Sequence, residues 1–481
     1  MRIAIASSGL GHVARGIETW ACDTAGALHQ WAVRSEQCAV DSQQGAVGRK
    51  QSEDIKVTLF CAAPLPALHS LGDAGPTADC LLSTVILPSL KRGNPKTQQL
   101  SNWFPKWAWR WGLKSTYDLE QWSFWWHLWP KLRRGKFDIV HVQDPWLARL
   151  LDVSRRRGLH RAKVILAHGT EEPLEFLETF EYVQHLAPWH LSEARKALRC
   201  RQSTVNSKQW TALPNFVDCA VFHPVHDPVG KATLRSSLGL PPDAFIVGCV
   251  AAVKKDHKRL DYLIREFRQH AVSRKQLAVE TGLKTDPHLS ASHCELPTAH
   301  CPLPPPFLLI AGAKTNETPE LLALAESLIP GHYKIVPDCP RSRMPDLYRA
   351  MDVFVLTSLF EMMPIALLEA LASGLPCLVN THPVLEWMIG AGEETVGSKQ
   401  LAVGSDQTEG HVGGALCAAT GSGGAAIDMS LTGGLSAALA GLTPEWVILH
   451  GRQARERAVQ MFSAEAVIDQ YVAYYKKILS R

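Results

Sequence analysis

Several signals are missing from this 481-residue chain, and each absence removes a class of protein. Its 12 cysteines are scattered, with no Cys-x-x-Cys pair and no zinc-ligand spacing, which argues against a disulfide framework or a structural zinc site and fits a reducing compartment. No apolar run is long enough to span a bilayer. Met1 to Ser8 lack the charged-then-apolar layout of a signal peptide, so the expected location is cytoplasmic. Charge of one sign is also lacking. Lys plus Arg number 50 against 46 Asp plus Glu, a net +4, too little to mark a nucleic-acid binder. No internal repeat is visible beyond two similar halves. What is present is ordinary globular material, 46% hydrophobic and 20% charged, in a length that suits two large domains or three smaller ones.

The pattern along the chain is strand, turn, helix, repeated. Arg2–Ala6 is an apolar run, followed by Ser7-Ser8-Gly9-Leu10-Gly11 and a helical stretch from Arg15 to His29. Residues 36–56 are polar and read as a surface insertion. Further strands are expected at Val57–Cys61, Leu82–Leu87, Phe137–Val142, Val164–Ala167 and Tyr182–Leu186. After the crossing Leu213-Pro214-Asn215-Phe216-Val217-Asp218 a second series begins. It has strands at Phe245–Ala252, Phe307–Ala311, Asp352–Leu356 and Cys377–Val379, with helices at Arg259–Arg268, Pro319–Leu328 and Pro364–Ala372. Residues 272–306, ending in Pro302-Leu303-Pro304-Pro305-Pro306, and the inner stretch of the Gly/Ala/Ser-rich 393–440 read as loops. Thr443-Pro444-Glu445 starts a helix, and Ala464–Leu479 is helical. The fold class is α/β, two tandem Rossmann-like halves with a cleft between them.

The stretch Leu356 to Pro376 carries the most chemistry. A strand enters a loop holding Glu361, and a helix begins near Pro364, so the amides of Ile365 and Ala366 and the positive end of the helix dipole suit an anionic diphosphate. Glu369 follows Glu361 by eight residues, up to ~12 Å along a helix, a separation fit for holding hydroxyls of an extended ligand. This stretch, through Ala370-Leu371-Ala372-Ser373-Gly374-Leu375-Pro376, resembles the Glu-x7-Glu signature of glycosyltransferase family 4, retaining enzymes of the GT-B fold with a glycogen-synthase-like C-terminal domain. The resemblance implies that Glu361 contacts a donor sugar and Glu369 the nucleotide ribose. Glu386 matches a further family acid or serves as a helix-cap acid.

Val253 to Asp261 resembles the family's basic loop, which neutralises the departing diphosphate. Lys258 falls on the family lysine, while Ala252 stands where the family has arginine, leaving Lys254, Lys255 and Arg259 as candidate substitutes. Gly9-Leu10-Gly11-His12-Val13-Ala14 after a strand imitates the dinucleotide fingerprint, but no acid ends Val57–Cys61, and Glu36 follows no strand-like run. The same turn resembles the family's glycine-rich loop, with Gly11 and Gly16-Ile17-Glu18 near donor and acceptor. Either way, small residues are needed for a tight turn. His168, at a strand end, resembles the family histidine facing the donor sugar, or is structural; Asp144 sits at a similar strand end.

Residues 91–136 hold ten Lys/Arg against two acids, and eight of the 15 tryptophans lie between Trp103 and Trp129. Trp122, Trp125, Trp126 and Trp129 share one helix face. That stripe is either core against the first domain or an acceptor or membrane surface at the inner face of the membrane.

The resemblance implies the following organisation. Residues 1–218 form an acceptor-side domain containing the 91–136 segment, 219–460 a nucleotide-sugar domain, and 461–481 a helix crossing back. The implied activity is retaining, hexosyltransferase-type transfer from a nucleoside-diphosphate sugar to a glycan, lipid-linked or small-molecule acceptor. No metal and no cofactor beyond the donor is expected, and no nucleic acid. A noncatalytic GT-B sugar-binding protein and a dinucleotide-dependent oxidoreductase are the alternatives.

Overall fold

The computed structural model describes residues 1–13, 15–43, 55–65, 82–111, 113–200, 208–280, 303–391 and 419–480. Expectations for residues 44–54, 281–302 and 393–418 lie outside the described residues. The chain divides into two units: Met1–Asn215 with Ala464–Arg481, and Phe216–Ser463.

Unit 1 is built on β1 (Arg2–Ala6), β2 (Lys56–Cys61), β3 (Ser83–Ile86), β4 (Ile139–Val142), β5 (Lys163–His168), β6 (Tyr182–His185) and β7 (Gln209–Ala212). They form one parallel sheet in the order β3-β2-β1-β4-β5-β6-β7. Ile3, Ala4, Ile5 and Ala6 are all buried, as is every residue of β4, because helices cover both faces; such strands read as unbroken apolar runs rather than alternation. The Thr116–Arg134 helix starts at a capping box between Ser115 and Asp118. It packs Phe124, Leu128 and Leu132 into the core with Phe60, Val140 and Leu151. Each such fully buried side chain contributes about 1.5–3 kcal/mol relative to exposure.

The tryptophan stripe is therefore not the core face. Leu119, Phe124, Leu128 and Leu132 are buried, whereas Trp122, Trp125 and Trp129 are only partly covered and Trp126 is exposed. Trp125 nevertheless packs against the core and donates to Ser154 Oγ (2.8 Å), so the stripe straddles the core margin. Two loop expectations also change. The first helix runs Gly16–Gln43, through the start of the expected insertion. The helix after β8 (Phe245–Val250) runs Leu260–Glu280, into the expected 272–306 loop.

The Ala464–Leu479 helix buries Tyr471, Tyr475 and Ile478 in unit 1. Tyr475 shares a hydrogen bond with His141 Nδ1 (2.8 Å), Gln184 donates to the Tyr471 hydroxyl (2.6 Å), and Lys163 donates to the Ile478 carbonyl (2.6 Å).

Unit 2 adds to β8 the strands β9 (Pro306–Gly312), β10 (Tyr333–Pro337), β11 (Val353–Leu356), β12 (Cys377–Asn380), β13 (Ala419–Gly421) and β14 (Gly424–Ile427). The order is β10-β9-β8-β11-β12-β14-β13, parallel except for the β13–β14 pair. The described end of 393–440, beyond the inner stretch expected to loop, supplies β13, β14 and the Gly434–Ala440 helix, which buries Leu435 and Leu439. Thr443 caps the Pro444–Arg457 helix by accepting from Trp446 N.

In each sheet the strand order reverses once, between β1 and β4 and between β8 and β11. Loops leaving the carboxyl ends at such a switch point diverge and open a crevice.

Candidate functional site

In unit 2 the switch point is formed by the loops after β8 and β11. The first, Ala251–Arg259, turns sharply: His257 and Arg259 adopt left-handed backbone conformations (φ 64° and 52°), and Arg259 N donates back to Lys255 O (2.8 Å). Left-handed φ at non-glycine residues costs energy and persists where neighbours enforce it. Here Thr357 Oγ1, at the end of β11, donates to the Lys258 carbonyl (2.7 Å), fastening one loop to the other. The Lys258 ammonium then forms an ion pair with Glu361 Oε1 across 103 residues of sequence. Both side chains are mostly buried, so the pair feels less screening than a surface pair would. Asn380 Nδ2 holds the Leu359 carbonyl (3.0 Å) and steadies the Glu361 loop from the next strand.

The Ile365–Ala372 helix follows. Pro364 is its N-cap and supplies no side-chain hydrogen bond, so Ile365 and Ala366 open the helix with N–H groups that have no carbonyl one turn back. Ser358 Oγ, at the start of the Glu361 loop, is buried and has no protein partner. Such an orphaned hydroxyl is a place for a water or a ligand atom. The helix ends where Gly374 takes φ 71°, with Gly374 N on Leu371 O and Leu375 N on Ala370 O. That left-handed step accounts for the glycine of the Ser373-Gly374-Leu375-Pro376 tail.

Glu369, buried on that helix, accepts from Tyr348 OH (2.9 Å) and Arg341 Nη1 (3.1 Å). Burial, and then the Glu369 carboxylate, push the Tyr348 phenol well above its usual range, so it remains a donor. Sequence reading missed both partners. Arg341 lies in a short turn after β10 and Tyr348 on the next helix, 28 and 21 residues before Glu369. The one sequence cue is the apolar spacing of Leu347, Tyr348 and Met351.

The other basic-loop residues point elsewhere. Lys255 binds Glu320 (2.7 Å to each oxygen). Arg259 donates to the Met429 carbonyl (2.6 Å) and stacks on Tyr262. Lys254 lies 3.9 Å from Asp256, and Ala252 contributes only its carbonyl, to Lys254 N (2.8 Å). Glu386 lies in the first turn of the Pro383–Ile389 helix, whose cap is His382.

In unit 1 the switch point is closed by its own side chains. Asp144, after β4, accepts from Ser8 N (2.8 Å) and Tyr117 OH (2.9 Å); burial, then Glu18, raise its carboxyl above the usual range. Glu120, fully buried, is in contact with the Arg92 guanidinium and accepts from Arg92 N (2.8 Å), Ser8 Oγ (3.2 Å) and His12 Nε2 (2.7 Å). Gly11 turns at φ 95°, and a Cβ there would press on the Ala63 carbonyl at 2.4 Å. Gly16 is different: a Cβ would meet nothing within 4 Å. Glu36 is exposed on the Gly16–Gln43 helix, and no acid follows β2 through residue 65, so the dinucleotide fingerprint lacks its ribose-binding partner among the described residues.

His168, at the end of β5, lies with other imidazoles. Its Nδ1 is 3.2 Å from His185 Nδ1, and its ring centroid is 5.9 Å from that of His190. Burial, then His190, lower it to about 3, and Nε2 has no partner. It is a neutral imidazole at ordinary pH.

Comparison with known proteins matches this architecture. Residues 298–403 fit the family model of glycosyl transferases group 1. Over 181 residues the chain is 27% identical to the putative glycosyltransferase EpsF of Bacillus subtilis, covering 37% of this chain and 38% of that protein. A 40-residue stretch is 55% identical to the Escherichia coli UDP-Gal:α-D-GlcNAc-diphosphoundecaprenol α-1,3-galactosyltransferase, covering 8% of this chain and 10% of that one. The matches thus span well under half the length of these curated relatives. Sucrose-phosphate synthase from Thermosynechococcus elongatus superposes with a TM-score of 0.62 at 16% identity, covering 100% of this chain and 99% of that one. Anabaena HepE, solved with UDP and glucose, gives 0.58 at 12% identity, covering 99% and 100%. The fold is GT-B, an α/β fold of two Rossmann-like domains.

Proposed function

We propose that the protein is a glycosyltransferase of the family 4 type that moves a sugar from a nucleoside-diphosphate donor to a glycan, lipid-linked or small-molecule acceptor with retention of anomeric configuration. The observation that carries this reading is the meeting of Lys258 and Glu361 at the unit 2 switch point, beside the open first turn of the Ile365–Ala372 helix. An ammonium has three N–H donors, and Glu361 engages one contact, leaving others for phosphate oxygens. Lys258 and the Ile365 and Ala366 amides would take up the charge that develops as the diphosphate departs. Glu369, oriented by Arg341 and Tyr348, would accept the ribose hydroxyls. Glu361 would hold the sugar. Lys254 and Arg259, engaged with Asp256 and with the Met429 carbonyl, are left out of the diphosphate contacts. Substitution would proceed on the front face, with the leaving phosphate taking the acceptor proton. Fixed cations and amides stand in for a metal on the diphosphate, so the reaction is proposed to be metal-independent.

A thermal-shift screen of nucleoside diphosphates, followed by donor turnover and NMR of the product anomer, tests this reading. One base should stabilise the chain by mass action, and chelator should leave turnover unchanged. An inverted product, or undiminished turnover in Glu369→Ala, would remove the mechanism.

A further inference from the structure

The proposed reaction makes no use of the outer surface of residues 95–134. Four tryptophans there stand in solvent: Trp103 is 80% exposed, Trp107 57%, Trp111 61% and Trp126 62%. They are not scattered. Trp107 packs edge-on against Trp111 (centroids 5.5 Å), Trp122 Nε1 donates to the Trp111 carbonyl (2.7 Å), and Trp122, Trp125 and Trp126 contact one another in series (5.2 and 5.8 Å). The short turn Lys106–Trp111 and the Thr116–Arg134 helix therefore share a connected aromatic surface, while Trp103, at the end of the Pro95–Trp103 helix, packs on Phe104 (5.8 Å).

Cations surround it. Lys96, Lys106, Lys131, Arg133 and Arg134 are exposed. Lys131, Arg133 and Arg134 follow Trp126 down the same helix, within roughly 12 Å along its axis. Of the two acids of the segment, Glu120 is buried against Arg92, and Asp118 sits in the first turn of the helix, roughly 20 Å along its axis from Lys131. Beyond the helix, Arg133 and Lys136 line a hollow with Arg161, which faces Asp138 at 3.6 Å.

We infer that this face docks on an anionic lipid surface, the indoles at the headgroup level and the cations on lipid phosphates. An indole has an apolar body and one N–H, which suits that boundary, and clustered Lys/Arg gain from the negative potential of such a surface. A neutral oligosaccharide would stack on the rings but gain nothing from the cations. No helix among the described residues is long and apolar enough to cross a membrane, so the attachment is peripheral.

The test is co-sedimentation of the full chain with phosphatidylglycerol/phosphatidylcholine vesicles and with phosphatidylcholine alone, at about 0.05 M and about 0.5 M salt. Binding to the anionic vesicles should exceed binding to the neutral ones by about tenfold or more and collapse at high salt. The triple variant Trp107→Ala/Trp111→Ala/Trp126→Ala and the charge variant Lys131→Glu/Arg133→Glu/Arg134→Glu should each lose most of that binding. All six sites are exposed, and an unchanged unfolding midpoint verifies the fold of each variant. Equal binding to both vesicle types, or undiminished binding in both folded variants, would overturn the inference. So would saturable binding to soluble glycan without vesicle binding. None of these readings requires turnover, so a failure here is separate from a failure of the proposed reaction.

Discussion

The two sheets share the order of their first five strands, differing at the last two, and each sets loops diverging at a switch point, yet the two crevices are furnished differently. In unit 1, Glu120, Arg92, His12, Ser8, Asp144 and Tyr117 are tied into one network, with His12 Nδ1 and Arg92 Nη1 lacking a partner among the described residues. In unit 2, Lys258 meets Glu361 through a single ion pair beside the open first turn of the Ile365–Ala372 helix. Topology decides where polar groups gather; how many of them join is decided by the side chains. Removing one member should therefore disturb more contacts in unit 1 than in unit 2.

Removing one member from each crevice is the most direct way to break that comparison. Glu120→Ala takes the shared acceptor from Arg92, His12 and Ser8, leaving Arg92 with only the 3.6 Å ion pair to Glu18 among the described residues, and should lower stability by about 3 kcal/mol in urea unfolding. Glu361→Gln keeps hydrogen-bonding capacity toward Lys258, whose side chain is one-fifth exposed, and should cost less, about 1–2 kcal/mol. Equal losses would erase the distinction. Turnover should sort the other way: Lys258→Ala is expected to reduce kcat by about 10²–10³-fold, with a smaller loss of stability than Glu120→Ala.

Acid sharpens the contrast. In unit 1, burial lowers His141 and His168 from the usual 6.5 to about 3, and His185 to about 2. The folded state keeps these rings neutral while the unfolded chain takes up protons, so their contribution is intact above pH ~6.5 and is lost as pH falls from there toward ~3. The loss is at most about 1.4 kcal/mol per histidine per pH unit. Hydrogen exchange resolved by unit should show unit 1 opening before unit 2 between roughly pH 6 and 4. Simultaneous opening would argue against the histidine explanation.

Glycines give the smallest effects. Gly374→Ala forces a side chain into φ 71° and should cost about 1–2 kcal/mol. Gly16→Ala, facing open space, should shift stability by less than about 0.5 kcal/mol. Turnover lost in Gly16→Ala at unchanged stability would mean that a ligand needs that space.

Central strands were readable because they are buried on both faces. Ile3–Ala6, Phe245–Val250 and Val353–Leu356 are continuous apolar runs, and Ile139–Val142 is broken only by His141. Peripheral strands were not. Tyr333–Pro337 is only partly buried, Gln209–Ala212 is short and mixed, and Gly424–Ile427 is built from residues that more often mark loops. At the site, Lys258, Glu361 and Glu369 could be picked out as candidates from local pattern and resemblance. That Lys258 touches Glu361, that Arg341 and Tyr348 orient Glu369, and that Glu120 gathers four partners could not.

Local order sets the strands, the turns and the opening of the Ile365–Ala372 helix, since these depend on neighbours a few residues apart: a cap, a proline, a left-handed glycine, an apolar run. Pairings belong to the tertiary structure, because an ion pair spanning 103 residues exists only once parallel strands have brought two loops to one edge. The tryptophans illustrate the division most plainly. Periodicity put four of them on one helix face, but only the tertiary packing decided that Trp125 would rest against the core while Trp126 stands in solvent.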